Sequence, residues 1–432
     1  MPEHKKERGQ VLVLMVVAMV ALLGFTALAI DGGMVYSERR NDQNAADTAS
    51  LAAAGAAGRA LENNHIYYET FKCDATVNPA KSAALTAGQT SASSNLFTLD
   101  TDLTDNHGVE VTCHIVDLGA YKDKYLEIKT MITTETETAF AHLLFGGDLK
   151  STVTSVATVR PRATETFGYA IVSTSSECDQ HSGIEFDGSG LITVRGAGIF
   201  SNSCLTRNGD AHFTLEETDE DIMYRDSYDP HGHSGYVGPE EPVHASASLP
   251  PINIPTPSCA GLDDQGDHLG GGSISPGIYD RIRVTNNEDL VLSPGLYCID
   301  GGVIATGGTI TGHDVTLYLR GGDFDIAGGV RVTLDSPQLE PAPNGAIKGL
   351  LIYLADGNTG EVALRGSSDS SYLGTVYAPD GQIDVGGNGS SIEEISCNLI
   401  GHGVKLHGNI TLDIRFSTPQ NWSQPSVISQ EH

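Results

Sequence analysis

Apolar and polar positions change their period twice along this chain, and each change marks a new kind of element. From Val11 to Ile30 (VLVLMVVAMVALLGFTALAI) twenty residues run without a charge. A helix rising ~1.5 Å per residue covers about 30 Å in that length, one hydrocarbon core. Beyond Asp31, good helix formers dominate and Tyr36, Ala46, Ala49, Ala53 and Ala56 fall at helical spacings. The helix is therefore expected to continue over 31–62, with Gly32-Gly33 permitting a bend. Residues 63–165 mix the two periods. Asn78-Pro79 opens a helix with proline in its first turn, and 109–116 and 125–133 read as strands. A short helix over 138–145 is closed by Gly146-Gly147, and 151–159 is a last strand.

Past Arg162 the period becomes two. Short runs such as Val315/Leu317/Leu319, Val330/Val332/Leu334, Val362/Leu364, Ile383/Val385, Val404/Leu406 and Ile410/Leu412/Ile414 are separated by Gly, Asp and Asn. Ser275-Pro276-Gly277-Ile278-Tyr279 and Ser293-Pro294-Gly295-Leu296-Tyr297 are near-copies 18 residues apart. A turn plus strand repeated at that spacing reads as the rung of a solenoid, in which stacking hides the edges a lone rung would expose. A parallel β-helix is expected over 166–416; a β-sandwich competes but would need longer, more varied loops. Residues 215–264 lack the period and are expected to be a loop or flap, and 417–432 a disordered tail. The fold class is thus mixed: a transmembrane helix, an α+β unit, and an all-β parallel solenoid.

Charge narrows the function. With 25 Lys+Arg against 55 Asp+Glu and a net −30, a nucleic-acid partner is excluded, since phosphate binding needs basic surface. Lys5, Lys6 and Arg8 precede the apolar run, so residues 1–10 are expected in the cytoplasm and the body outside the membrane. Ala27-Leu28-Ala29 offers the alternative of a cleaved signal peptide, but the apolar run exceeds the usual 7–15 residues of one. The seven cysteines are scattered singly with no C-x-x-C, which in an exported chain reads as disulfides. Neighbour pairing gives Cys73–Cys113, Cys178–Cys204 and Cys259–Cys298, leaving Cys397 free.

Catalytic signatures (G-x-S-x-G, H-E-x-x-H, a Walker loop) are absent from the sequence, and a non-enzymatic role is expected. The 215–264 segment gathers Glu217, Asp219, Asp221, Asp226, Asp229, His231 and His233. That set is the candidate metal site, calcium being the cation its carboxylates suit, although the spacing fits no EF-hand. Binding is expected on this segment, because loops held on rigid scaffolds usually carry recognition. The enzymatic alternative rests on Asp323 and Asp325, which at i, i+2 project from one side of a strand and could serve a glycoside-cleaving site. Three sequons begin at Asn388, Asn409 and Asn421.

The first fifty residues also carry a resemblance. Arg8-Gly9-Gln10, the apolar run, Ile30-Asp31-Gly32-Gly33, Tyr36, Arg39, Gln43-Asn44-Ala45-Ala46-Asp47 and the alanine-rich close occur in that order. Together they resemble the N-terminal region of TadG-like proteins of the tight-adherence (Flp/Tad) pilus-assembly group. The run TAFAHLLFGGDLKSTVTSVATV is similar to pilin-like ectodomains of that group, and SPGLYCIDGG and GTVYAPDGQIDVGG to C-terminal regions of some members. The resemblance implies a membrane-anchored cell-surface protein with a pilin-like unit over 63–165, partnered by pilus or secretion components; pilin, a surface glycan and another copy of the chain all stay open as what it binds. A filament subunit is the alternative it leaves open. Prepilins of this class are cut after a Gly and carry Glu at the fifth mature position; Leu14 stands there after Gly9, which implies a retained anchor.

Overall fold

The computed structural model describes residues 10–138, 140, 149–179, 181–209, 212–231, 241–285, 287–327, 329–367, 369–387, 394–408 and 411–431. Most of the expected helix over 138–145, together with Ile410, Asn388, Asn409 and His233, lies outside them. Helix α1 spans Gln10–Asn63 without a break and runs on through Gly32 and Gly33, where a Cβ would meet open space. Its first half is exposed on all sides, Leu14 at 72% and Phe25 at 72%. Its second half is buried along one stripe: Asp42, Ala45, Ala46, Ala49, Ala53, Ala54, Ala57 and Leu61.

That stripe packs on a sheet. Helix α2 (Asn78–Ser94) lies beside α1. Below them β1 (Gly108–Asp117), β2 (Lys122–Thr136) and β3 (Leu149–Arg160) form an antiparallel meander. Alanine suits the contact because its methyl lets helix and sheet axes approach closely. A few polar groups then fix the register. Ser50 and Ser155 share a buried 2.8 Å hydrogen bond, and Gln43 donates to Asp47 at 2.8 Å and to the Thr154 carbonyl at 3.3 Å. The Cys73–Cys113 disulfide ties the segment before α2 to β1.

The fourth strand of this sheet is a correction to the expected disordered tail. Val427–Glu431 pairs antiparallel with β3, Val427 against Arg160 through Glu431 against Val156. The Ser/Gln/Pro composition of 417–432 says nothing of this, because a β-ladder is held by backbone groups that any residue carries.

From Tyr169 onward the chain winds into a three-sided parallel solenoid. One rung is Gly295–Ile299, Val303–Ala305 and Thr309–Gly312; the next is Val315–Leu319, Phe324–Ile326 and Arg331–Asp335, each strand paired with its counterpart. The alternating apolar residues point inward, and Leu317, Leu319, Val332, Leu334, Val362, Leu364, Val404 and Leu406 are all buried in one continuous core. The Ser-Pro-Gly-[Ile/Leu]-Tyr copies repeat a local device. Tyr279 donates to the Ser275 carbonyl at 2.6 Å, Tyr297 to the Ser293 carbonyl at 2.8 Å, and their rings stack 5.9 Å apart. Gly295, at φ +144°, admits no side chain: a Cβ would stand 2.3 Å from Pro276.

Rung order in space is not rung order in sequence. The chain starts mid-solenoid with Tyr169–Ser173, Gly183–Gly188 and Leu191–Arg195, then climbs through Gly198–Ser201, Leu205–Gly209 and His212–Glu216. Ile222–Tyr224, Tyr228–His231 and Val243–His244 finish that end. Residues 245–263 then run back along the outside. Ala245 and Leu249 pack on Tyr169, Val172 and Phe200, and Ile254 on Leu350, Tyr353, Tyr377 and Ile400. The Cys259–Cys298 disulfide pins this strap near the far end, where Asp264–Leu269 begins a second ascent. That ascent docks Glu394–Gly408 and Thr411–Arg415 beneath the starting rung.

The segment 215–264 is therefore not a free flap, which corrects that expectation. Its first part adds strands to the stack, and its proline-rich part is a strap, extended because each Pro fixes φ and removes a donor.

Candidate functional site

Two units meet on an ionic junction built from residues the sequence placed in the acidic segment. Glu220 is buried, its Oε1 3.3 Å from Lys124 Nζ and its Oε2 3.4 Å from Lys122 Nζ. Lys124 Nζ also donates to the Tyr68 carbonyl at 3.1 Å and lies 4.1 Å over the Tyr68 ring. Burial pushes the Lys124 ammonium below the usual lysine range, with Glu220 pulling the other way. Asp219 accepts from Lys72 at 2.6 Å, a contact that holds its carboxyl below the usual aspartate range. Lys122 Nζ donates to the Asp219 carbonyl at 3.0 Å. Tyr121 stacks on Phe167 at 4.1 Å, and Tyr169 donates to the Ala120 carbonyl at 2.8 Å. The tail joins in: Thr418 donates through N and Oγ1 to Glu69 at 3.0 and 2.6 Å, and Arg162 grips Glu62 at 3.0 and 3.1 Å.

The candidate metal ligands are thus distributed. Asp219 faces lysine, Glu217 is exposed with Oε1 4.0 Å from Arg195, and Asp221 is half-buried, its carbonyl accepting from Ile199 N–H at 3.1 Å. Asp226 and Asp229 are exposed. The side chains of His231 and His233 lie outside the described residues. Among the described residues no three His, Cys, Asp or Glu side chains gather as a metal site. Asp323 Oδ1 accepts the Glu361 N–H of the next rung at 2.9 Å. Asn421 is buried, its Oδ1 accepting from Asn398 N–H at 2.8 Å.

The sulfur atoms of Cys178 and Cys204 are joined, as are those of the other two neighbour pairs, and Cys397 is a buried thiol.

Residues 9–56 match the Tad family model, described as Flp pilus-assembly TadE/G-like. The N-terminal segment of the chain is TadE/G-like. Residues 275–417 match a second model, a domain of unknown function (DUF7305), which covers the second ascent of the solenoid and stops where the first-built rungs stack on it. No curated protein and no solved structure matches. The matched N-terminal segment is half apolar span and half core: Val11–Ile30 lies bare, while Gln43 to Ala54 packs on β3. A twenty-residue apolar helix exposed on every side is stable only where its surroundings are as apolar as itself. The protein is membrane-anchored.

The solenoid also bears a groove that sequence reasoning missed. It encloses about 870 Å³ on the face built by the middle strand of each rung. In register across that face stand Asp384, Lys405, Glu185, Thr206 and Asp229. Asp384 is buried, its Oδ1 2.8 Å from His407 Nε2 and its Oδ2 on Arg365. Burial alone would raise its pKa, but the His407 and Arg365 contacts outweigh it and the carboxyl stays below the usual aspartate range. Glu361, 3.0 Å from Arg365, is pushed up by burial and by nearby Asp384. Lys405 reaches Glu185 at 3.4 Å and Asp187 at 3.5 Å. Its neighbours in space, Lys405 and Glu185, are far apart in sequence, so no local spacing could have announced the row.

Proposed function

We propose that this chain is a non-enzymatic component of a Flp/Tad pilus system, anchored with its N-terminus inside, that holds a rigid solenoid beyond the membrane for surface attachment. The observation that carries the proposal is mechanical continuity. One helix runs from the exposed apolar span into the pilin-like core, and that core is clamped to the solenoid through Glu220, Glu69 and Glu62. Load on the solenoid therefore passes to the membrane through packed, ion-paired contacts. Lys5, Lys6 and Arg8 support the N-in orientation. The His407 and Arg365 contacts that hold the Asp384 carboxyl below the usual aspartate range support binding over hydrolysis, since a carboxylate kept ionised is a poor general acid.

Two measurements test this. Intact mass of the detergent-extracted protein should show an uncleaved apolar run. A mature terminus at Ile30 would defeat the anchor, and one at Gln10 would make the chain a filament subunit. In cells, the protein should co-sediment with the membrane and pilus fraction, and its loss should lower surface attachment. Unchanged attachment together with absence from that fraction would sink the proposal.

A further inference from the structure

We propose that the groove on the solenoid face is a binding site for an extended, neutral polysaccharide. The assignment rests on the attachment function proposed above. Asp384, Lys405, Glu185, Thr206 and Asp229 occupy successive rungs, so the row runs about 19 Å at the ~4.8 Å spacing of paired strands. A site of that shape fits a chain lying along the solenoid axis better than a compact ligand.

The chemistry of the walls narrows the class. Arg365, Lys405 and His407 each lie against a carboxylate, so the surface offers donors and acceptors side by side with little free positive charge. Asn208 continues the pattern, donating to Glu185 Oε1 at 2.8 Å, and His181 pairs with Gln382 at 2.9 Å. An anionic polymer would meet excess carboxylate here, on a protein of net charge −30. A peptide would need apolar pockets for its side chains, whereas Val404 is the one aliphatic residue among the described lining. A sugar hydroxyl both donates and accepts, and a row of alternating carboxylate, ammonium, amide and hydroxyl groups can satisfy it at every step. With no Phe, Tyr or Trp in the described lining, affinity per sugar is modest and the length of the chain supplies the rest.

The test uses the full-length protein in a detergent without a sugar headgroup, passed over beads carrying dextran, mannan or cellohexaose. Alginate, heparin and poly-L-lysine beads run in parallel. Retention is expected on at least one neutral polymer. Thr206→Trp, which fills the groove from a half-buried outward position, should weaken that retention roughly tenfold, the equivalent of one or two net hydrogen bonds. Thr311→Trp, on another face, should leave it unchanged. Glu185→Gln keeps the shape and removes the charge; it should also weaken retention, and it serves if Thr206→Trp fails to fold. Binding that survives both groove variants overturns the assignment. So does retention confined to alginate, heparin or poly-L-lysine, or retention on none. If the beads fail while co-sedimentation and attachment persist, only the groove assignment falls; if attachment fails as well, the function on which it rests falls with it.

Discussion

Replacing Glu220 with alanine is expected to cost the protein roughly 3–5 kcal/mol, the range for breaking a buried ion pair from one side. Glu220 and Lys124 are each 6% exposed in their side chains, and among the described residues Glu220 is the one carboxylate at hydrogen-bonding distance from the Lys124 ammonium. Alanine would leave that ammonium buried against the Tyr68 carbonyl and ring alone. Urea denaturation of the full chain measures the loss. A loss under about 1 kcal/mol, the size of an exposed pair, would show the junction to be solvent-screened and the mechanical coupling weak. The double variant Glu220→Leu with Lys124→Met should recover most of the stability, since well-packed apolar groups can replace a buried pair. The pH response has a definite sign. Lys124's folded pKa is depressed, so between that value and the usual lysine range the unfolded chain holds more protons. Stability should rise with pH through that window and stay flat with respect to this group below it.

Ending the chain at Phe416 is expected to be as damaging. The truncation strips the fourth strand from β3 and removes both Thr418 hydrogen bonds to Glu69. It also removes Asn421, whose side chain accepts from Asn398 N–H at 2.8 Å and donates to Ser417 O at 3.1 Å within the buried junction. At ~1 kcal/mol net for each bond, the sum approaches the whole 5–15 kcal/mol that typically holds a domain folded. The truncated protein should therefore lose its cooperative unfolding transition and aggregate through the bared edge of β3. Asn421→Ala grades the effect, at about 1–3 kcal/mol for unsatisfied buried partners. An unchanged melting transition in the truncated chain would show that the tail only rests on the sheet. Burial of Asn421 also means that its sequon should carry no glycan, which intact mass can check.

Local pattern was enough for the elements themselves. An uncharged twenty-mer can only be satisfied by apolar surroundings, so Val11–Ile30 stands out in any context. Period-two runs fix which residues face the solenoid core, because successive strand side chains alternate sides whatever the strand pairs with. The strands expected over 109–116, 125–133 and 151–159 lie within β1, β2 and β3 for the same reason. The tertiary structure alone decided how the pieces meet. That Glu394–Gly408 stacks under Gly183–Gly188, bringing Lys405 onto Glu185, depends on residues 245–263 crossing the whole outside of the solenoid. That Asp219 and Glu220 face lysines and not a cation depends on where β2 lies. That a polar tail becomes a strand depends on a vacant edge of β3. Each is a pairing between groups more than about 90 residues apart, and the apolar period along a strand carries no information about which distant partner will complete it.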